Sequence, residues 1–257
     1  MESLPILDVS DVTLRFGGVT ALEEANFSVK SGELFAIIGP NGAGKTSIFN
    51  CINGVYKPQN GSILFDGGEL IGKSPVAVAR KGVGRTFQNL GLFMNLNLID
   101  NLLLGRHLQM KTGFLSGALW WGRAKNEEIK NRQKIETIID LLELQPHRYQ
   151  PVGLLPYGIQ KRVELGRALS MEPRILLLDE PVAGMNLEET EDMARYILEI
   201  KNELEISILL VEHDMAMVMD IADRVMALDF GQTIATGSPK EVQSDQRVIA
   251  AYLGEAS

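Results

Sequence analysis

The chain has 257 residues and a formal net charge of −8, because 33 acidic side chains outnumber 25 Lys and Arg. Hydrophobic residues make up 45% of the chain and charged residues 23%, which excludes a disordered chain and fits one large folded domain with or without a subdomain. The acidic balance argues against a general nucleic-acid-binding protein, since such proteins need a basic face to replace phosphate counterions, and we expect no nucleic-acid partner.

The cysteine content and the longest uncharged stretch bear on the compartment. Cys51 is the single cysteine, which excludes an internal disulfide and favours a reducing environment. The first ten residues show neither a basic start nor a long apolar run, so we expect no secretory signal. Residues 86–99 are uncharged but shorter than the roughly 18 to 20 apolar residues of a membrane helix. Any work at a membrane should therefore go through a partner protein.

Short apolar runs that favour strands alternate with helical patterns along most of the chain. The predicted strands are residues 7–16, 34–39, 62–65, 83–87, 175–179, 207–211, 225–229 and 232–235. The predicted helices are residues 45–52, 74–81, 127–144, 157–170, 187–204, 215–222 and 248–253. Helix starts are indicated by a hydroxyl before proline at Ser74 and Ser238, and by the capping-box spacing of Asn186 and Glu189. The alternation predicts a mostly parallel sheet covered by helices on both faces.

The middle of the chain departs from this alternation. Strand signals fade between about residue 89 and residue 150, which predicts a helical subdomain inserted into the α/β core. Residues 113–122 hold both tryptophans and no charge. This segment is either a loop or short helix packed on the helical subdomain, or an apolar surface that contacts a membrane partner.

The strongest motif follows the second predicted strand. It fits the pattern G-x-x-x-x-G-K-[ST] and continues into Ser47, with the members Gly39, Pro40, Asn41, Gly42, Ala43, Gly44, Lys45 and Thr46. A glycine-rich turn between a buried strand and a helix lets backbone N–H groups converge on phosphate oxygens, and the helix dipole favours an anion there. Lys45 is then expected to reach the β- and γ-phosphates, and the Thr46 hydroxyl to ligate Mg²⁺.

Further polar residues follow other predicted strands. The apolar strand 175–178 ends in Asp179 and Glu180, and ligands of doubly wound sheets bind at such carboxyl ends. Asp179 could hold Mg²⁺, and Glu180 could polarise a water for attack on a γ-phosphate. Gln88 follows strand 83–87, and His213 follows strand 207–211.

Taken in order, these segments resemble the nucleotide-binding subunits of ABC transporters. The resemblance rests on the phosphate loop (residues 39–46), Gln88, the segment 155–162, the strand ending in Asp179 and Glu180, and His213. It implies an α/β fold: a P-loop NTPase (RecA-like) core with an antiparallel β subdomain, residues 1–88 and 158–257, and an inserted helical subdomain, residues 89–157. The chain would be a single ABC ATPase domain that binds ATP and Mg²⁺ and hydrolyses ATP.

The resemblance also assigns individual roles. Phe16 corresponds to the aromatic residue that stacks on adenine. Gln88 corresponds to the residue that approaches Mg²⁺ and the attacking water, Glu180 to the catalytic carboxylate, and His213 to the switch histidine that contacts the γ-phosphate. Residues 155–159 occupy the signature position, which in this family caps the ATP bound to the opposite subunit.

The signature segment departs from the usual Leu-Ser-Gly-Gly-Gln. Pro156 replaces the serine, Tyr157 and Gly158 follow, and Ile159 takes the place of glutamine. Proline is compatible with the first turn of a helix, so we expect weaker capping of the partner's ATP rather than loss of binding. One interpretation is asymmetric hydrolysis in which this signature serves a weaker site. Asn186 stands where the family usually has Asp, which puts the usual cross-dimer carboxylate contact in doubt.

The end of the chain, residues 245–254, is similar to that of ATP-binding subunits that import branched-chain amino acids. The implied partners are transmembrane permease subunits, a second ATPase subunit (forming a homodimer or a heterodimer) in a head-to-tail ATP sandwich and, indirectly, a solute-binding protein. The implied location is the cytoplasmic face of the cell membrane, peripheral through the permease.

Several alternative functions would use the same nucleotide site. Urea or amide import and lipopolysaccharide export are the alternatives within transport. An ABC ATPase acting on DNA or ribosomes is disfavoured by the net charge of −8 and the single cassette. A nucleotide kinase or switch protein would leave the signature segment and His213 without a role.

Overall fold

The computed structural model describes residues 5–86, 91–106 and 121–253. It divides into two compact units, one formed by residues 1–85 and 174–257 and the other by residues 86–173. The subdomain boundaries expected from the sequence, near 88 and 157, stay a prediction. Within the described ranges, no helix is both long enough and apolar enough to cross a membrane.

Strands and helices alternate along the first unit, and helices dominate the second. The strands are β1 (Leu7–Phe16), β2 (Val19–Val29), β3 (Leu34–Ile38), β4 (Asn60–Phe65), β5 (Gly68–Glu69), β6 (Val83–Arg85), β7 (Ile175–Asp179), β8 (Ser207–Val211), β9 (Arg224–Asp229) and β10 (Gln232–Gly237). The helices are α1 (Lys45–Ile52), α2 (Pro75–Arg80), α3 (Leu98–Gly105), α4 (Trp121–Leu141), α5 (Tyr157–Leu169), α6 (Leu187–Glu203), α7 (Met215–Ile221), α8 (Pro239–Ser244) and α9 (Gln246–Leu253).

The larger sheet is mostly parallel, as the alternation of strands and helices predicts. Its strand order is β10-β9-β3-β8-β7-β6, and only β10 pairs antiparallel with its neighbour. All five residues of β3, of β7 and of β8 are buried. Continuous apolar runs of this kind are characteristic of strands covered on both faces. The α/β fold class is thereby confirmed.

The smaller sheet is antiparallel, with the order β2-β1-β4-β5. The sequence did not predict β2, and its structure explains why. Leu22 and Ala25 are both buried although the two exposed residues between them, Glu23 and Glu24, carry charge, and the register with β1 shifts in the same region. Such irregularities erase the period-two alternation by which a half-buried strand is detected.

The second unit packs α3 and α5 closely, and a glycine permits the approach. A Cβ atom on Gly166 of α5 would lie 3.0 to 3.3 Å from side-chain atoms of Leu102, Leu142 and Ile138.

The sequence indicated a helical region here but no separate helix at α3, and α4 begins six residues earlier than predicted. The loop before α3 is organised by the buried Asn101, whose amide nitrogen donates to the carbonyl groups of Phe93 and Asn97.

Candidate active site

Three neighbouring strands of the parallel sheet end at one level. Ile37 of β3 pairs with Val211 of β8, and Val211 pairs with Asp179 of β7. Because adjacent strands lie about 4.8 Å apart, the segments that leave these strands start side by side. The phosphate loop follows β3, Glu180 follows β7, and His213 follows β8. The fold therefore gathers these sequence-predicted groups at one edge of the sheet.

The phosphate loop requires glycine where other backbone approaches it. A Cβ atom on Gly39 would lie 2.1 Å from the carbonyl oxygen of Leu228, and one on Gly44 would lie 2.5 Å from that of Ala21. Gly44 also has φ +104°, a left-handed conformation that L side chains rarely adopt, and it is the N-cap of α1. The fold itself therefore requires glycine at these two positions.

The β9–β10 hairpin supports the phosphate loop from behind. The Gly231 N–H donates to the Ala43 carbonyl over 2.9 Å, and the Glu23 N–H donates to the Gly231 carbonyl over the same distance. Phe230 forms the tip of the hairpin with φ +41°, and the hairpin spans only two residues between the paired Asp229 and Gln232. The loop, the hairpin and β2 are therefore joined by main-chain hydrogen bonds.

Lys45 lies against the phosphate loop itself. Its side chain is 5% exposed, and Nζ donates to the carbonyl oxygens of Gly39 at 2.6 Å and of Pro40 at 2.8 Å. Such hydrogen bonds compensate an ammonium group for lost hydration. The ammonium group of Lys45 is thus held at the first two residues of the phosphate loop.

Asp179 is linked to α1 through Arg85, a residue that the sequence did not single out. Arg85 Nη2 donates to Asp179 Oδ2 at 2.8 Å, and Nη1 donates to Asn50 Oδ1 at 2.7 Å. Both members of the ion pair are almost completely buried. Asn50 lies one helical turn after Thr46, so Arg85 connects the strand end that carries Asp179 with the helix that carries Thr46.

The donor set fits magnesium better than a metal held by protein alone. Among the residues that the structure describes, no group of three or more His, Cys, Asp or Glu side chains could hold a metal ion. Thr46 and Asp179 offer one hydroxyl and one carboxyl oxygen ligand. Mg²⁺ commonly takes one or two protein carboxylates and completes its shell with water and substrate phosphates.

Glu180 and His213 are in direct contact. His213 Nε2 lies 2.8 Å from Glu180 Oε1, and their side chains are 37% and 16% exposed. The Glu180 N–H donates to the Val211 carbonyl at 2.8 Å, and Glu180 has φ +51°. The carboxylate and the imidazole thus reach solvent at the sheet edge, the arrangement that proton abstraction from water requires.

Glu212 is a second residue that the sequence did not single out. It is 2% exposed and accepts hydrogen bonds from the backbone of Val182 and of His213. The sequence signal was present, since an acidic residue follows an apolar strand there, but its contacts with another loop could not be inferred from spacing.

Phe16 lies at the end of β1 and is 48% exposed. Its ring makes a T-shaped contact with that of Tyr56, with 5.1 Å between the centroids and 75° between the planes. This contact restricts the Phe16 ring while half of its surface remains available for a planar ligand.

The signature segment begins α5 in the second unit. Pro156 is the N-cap, one position earlier than the first helical turn, and no side chain among the described residues caps the helix through a hydrogen bond. Gly158 is buried and Tyr157 is 43% exposed. Gln160 Nε2 donates to the Leu155 carbonyl at 2.8 Å, which fixes the entry to the helix.

Two sequence predictions fall outside the described residues. Gln88 is one of them. Residues 113–120 are also outside, and only the last two positions of the tryptophan segment belong to α4.

Comparison with known proteins identifies the family. The ABC transporter family matches residues 22–183, and the branched-chain amino acid ATP-binding cassette transporter family matches residues 232–257. The high-affinity branched-chain amino acid transport ATP-binding protein BraF of Pseudomonas aeruginosa is 41% identical over 99% of this chain and 100% of its own length. The corresponding protein LivG of Escherichia coli has the same identity and coverage.

Solved structures agree with these sequence relatives. The ADP conformation of an ATP-binding cassette of an ABC transporter has a TM-score of 0.85 and 30% identity, and the match covers 98% of this chain and 100% of that one. A nucleotide-free ATP-binding cassette has a TM-score of 0.84 and 30% identity over 97% of this chain and 99% of that one. The chain therefore belongs to the ATP-binding family of ABC transporters and is similar to its branched-chain amino acid members.

Proposed function

We propose that this chain is the ATP-binding and ATP-hydrolysing subunit of an importer for branched-chain or related amino acids. The observation that carries the enzymatic part is the common level of β3, β8 and β7, which places the phosphate loop, His213 and Glu180 at one sheet edge. The solute class is supported by the two relatives with 41% identity over their full lengths, both named for branched-chain amino acid transport.

The phosphate loop supplies the binding step. The backbone N–H groups around Gly42 and Gly44 and the N-terminus of α1 would receive the phosphate oxygens of ATP. Lys45 would exchange its two carbonyl acceptors, Gly39 and Pro40, for β- and γ-phosphate oxygens, which are negatively charged and therefore stronger partners. Phe16 would stack on the adenine ring, and its T-shaped contact with Tyr56 would restrict the motion of the Phe16 ring.

Magnesium would be held by Thr46 and Asp179, with Gln88 as a further candidate. Bound Mg²⁺ supplies neutralisation of the charge on the phosphate oxygens. Arg85 keeps Asp179 in place through a buried ion pair and keeps α1 in place through Asn50.

Hydrolysis would use Glu180 and His213. The Glu180 carboxylate orients a water molecule and accepts its proton as the water oxygen attacks the γ-phosphorus and the bond to the β-phosphate oxygen breaks, giving ADP and phosphate. In the tautomer with hydrogen on Nε2, His213 donates to Glu180 in the present structure. Turning that N–H to the γ-phosphate would free the Glu180 oxygen for water.

The assembly follows from the one-sided nature of the nucleotide site. The phosphate loop covers one side of ATP, and the N-terminus of α5 on a second ATPase subunit would cover the other in a head-to-tail sandwich. We infer that permease subunits hold this pair at the cytoplasmic face of the cell membrane and that a solute-binding protein delivers the amino acid.

The test of the enzymatic function is Glu180→Gln, which keeps the shape of the side chain and removes the base. We expect this variant to bind MgATP like the natural chain and to hydrolyse it about 10²- to 10⁴-fold more slowly. Calorimetry gives the binding, and phosphate release gives the turnover. Wild-type turnover in the variant would show that Glu180 is not the catalytic base.

The test of the transport function is the purified membrane complex. Reconstituted with its permease and solute-binding protein, the complex should hydrolyse ATP faster when leucine, isoleucine or valine is added. Stimulation by urea or amides alone would contradict the amino acid assignment and leave the ATPase assignment intact.

A further inference from the structure

We propose that Glu212 is a positioning residue that holds His213 in register with the loop carrying Glu180. This inference rests on the function proposed above and adds a residue to its hydrolytic step. The Glu212 carboxyl group accepts hydrogen bonds from backbone N–H groups next to the two side chains proposed to do the chemistry. It acts on the backbones that carry them.

The carboxyl group of Glu212 connects two loops. Oε1 accepts from the Val182 N–H at 3.0 Å, two residues after Glu180. Oε2 accepts from the His213 N–H at 2.7 Å and from the Asp214 N–H at 3.2 Å. One side chain therefore bonds the loop after β7 on one oxygen and the loop after β8 on the other.

Because Glu212 is buried, losing any of these hydrogen bonds would be costly for the structure of the two loops. Glu212 is 2% exposed, so water cannot replace a lost partner, and an unsatisfied N–H left behind in such a place is destabilising. The second loop is also anchored beyond His213, because the Asp214 side chain caps α7 by accepting from the Met217 N–H at 2.9 Å. Glu212 thus sits between a fixed helix start and the Glu180 loop.

The hydrolytic cycle needs a connection of this kind. The contact between Glu180 and His213 joins the loops through the side chains that must change partners when a γ-phosphate arrives. The bonds of Glu212 involve no atom that would meet the nucleotide. They keep the two loops in register while the Glu180–His213 contact opens, and they restore the same geometry after each turnover.

A purely local role makes a different prediction. If Glu212 only satisfied the N–H groups of its own loop, an aspartate would serve, because it is one methylene shorter but still reaches the neighbouring N–H groups of His213 and Asp214. Aspartate would fall short of Val182. The Glu212→Asp substitution therefore separates the bond between loops from the bonds within one loop.

The experiment compares Glu212→Ala, Glu212→Asp and Glu212→Gln in the full chain, purified with its membrane subunits. Glu203→Ala is the control, because Glu203 is an exposed residue. For the alanine and aspartate variants we expect kcat for ATP to fall about 10- to 100-fold and KM to stay within about twofold, because the phosphate loop is untouched. The glutamine variant keeps the length and one accepting oxygen, and it should retain more activity than the aspartate variant.

ATP affinity provides a readout that does not depend on turnover. Measured by calorimetry in the Glu180→Gln background, it should be the same with and without Glu212→Asp. Thermal unfolding identifies any variant that has lost its fold, and the aspartate and glutamine variants carry the test if the alanine variant does not fold.

Two results would overturn the inference. One is a wild-type kcat in the Glu212→Asp variant, and the other is a KM for ATP that rises in the Glu212→Ala or Glu212→Asp variant while kcat is unchanged. Failure of the natural chain to bind or hydrolyse ATP would instead overturn the proposed function. The two failures are therefore separate observations.

Discussion

Phe16 illustrates how much of the candidate site depends on single side chains at strand ends. The Phe16 ring at the end of β1 is 48% exposed, so a planar ligand that stacks on it would remove apolar surface from water. The edge contact with Tyr56 limits the motion of the ring before any ligand binds. Less conformational entropy is then lost on stacking, which favours affinity.

We expect Phe16→Ala to weaken ATP binding by about 1–3 kcal/mol, the range found when a stacking aromatic is removed from beneath a base. Calorimetry on the Glu180→Gln background measures the change without hydrolysis. Phe16→Trp keeps a stacking surface and should keep most of the affinity. Equal affinities for the alanine variant and the parent would place the adenine elsewhere.

At the scale of elements, α6 shows how a departure from the family pattern is accommodated. Asn186 stands where related chains usually have Asp, and it is the N-cap of α6. Its side chain accepts from the Glu189 N–H at 3.0 Å, and the Glu189 side chain accepts from the Asn186 N–H at 3.1 Å. The sequence spacing predicted this reciprocal capping box, and the structure confirms it.

Asn186→Ala should lower the free energy of unfolding by about 1 kcal/mol, because one acceptor for the first turn of α6 is lost. Asn186→Asp should leave the stability nearly unchanged, since both residues are good N-caps. Urea denaturation measures both. An alanine variant as stable as the parent would mean that α6 is held by its buried face alone, which comprises Met193, Tyr196, Ile197 and Ile200.

Elements with uninterrupted local patterns could be predicted from the sequence, and contacts between distant segments could not. The bounds of β7, β8 and α1 match their predictions because burial on both faces or a complete motif defines them, and those of β1 match as well although that strand is only partly buried. Arg85 reaches across 94 positions to Asp179, and Val182 reaches across 30 to Glu212. Periodicity has no signal for such pairs, because it describes neighbours along one element only.

At the scale of the molecule, the proposed head-to-tail sandwich would use α5 of one subunit to complete the nucleotide site of the other. The N-terminus of α5 has backbone donors and no side-chain cap among the described residues. Pro156 removes the hydroxyl that the family usually places there, so the second subunit would supply one hydrogen bond fewer. A neutral hydrogen bond contributes about 1 kcal/mol, which weakens the sandwich without abolishing it.

We expect Glu180→Gln to form a dimer in the presence of MgATP and to remain monomeric with MgADP, because only the triphosphate reaches both subunits. Sedimentation or size-exclusion chromatography with light scattering measures the mass. Adding Pro156→Ser should favour the homodimer about 30-fold, because each dimer gains one hydrogen bond at each of its two ATP sites and therefore about 2 kcal/mol in all. ATP binding without any change in mass would contradict the homodimeric sandwich and favour a different ATPase subunit as partner.

The main-chain support behind the phosphate loop has a consequence for how this chain tolerates sequence change. Residues 228 and 231 come almost two hundred positions after the loop, yet they contact it at Gly39 and Ala43. An insertion or deletion in the β9–β10 hairpin would shift these contacts and alter the nucleotide site without touching its motif. We therefore expect a change in hairpin length to weaken ATP binding even when every residue of the motif is kept.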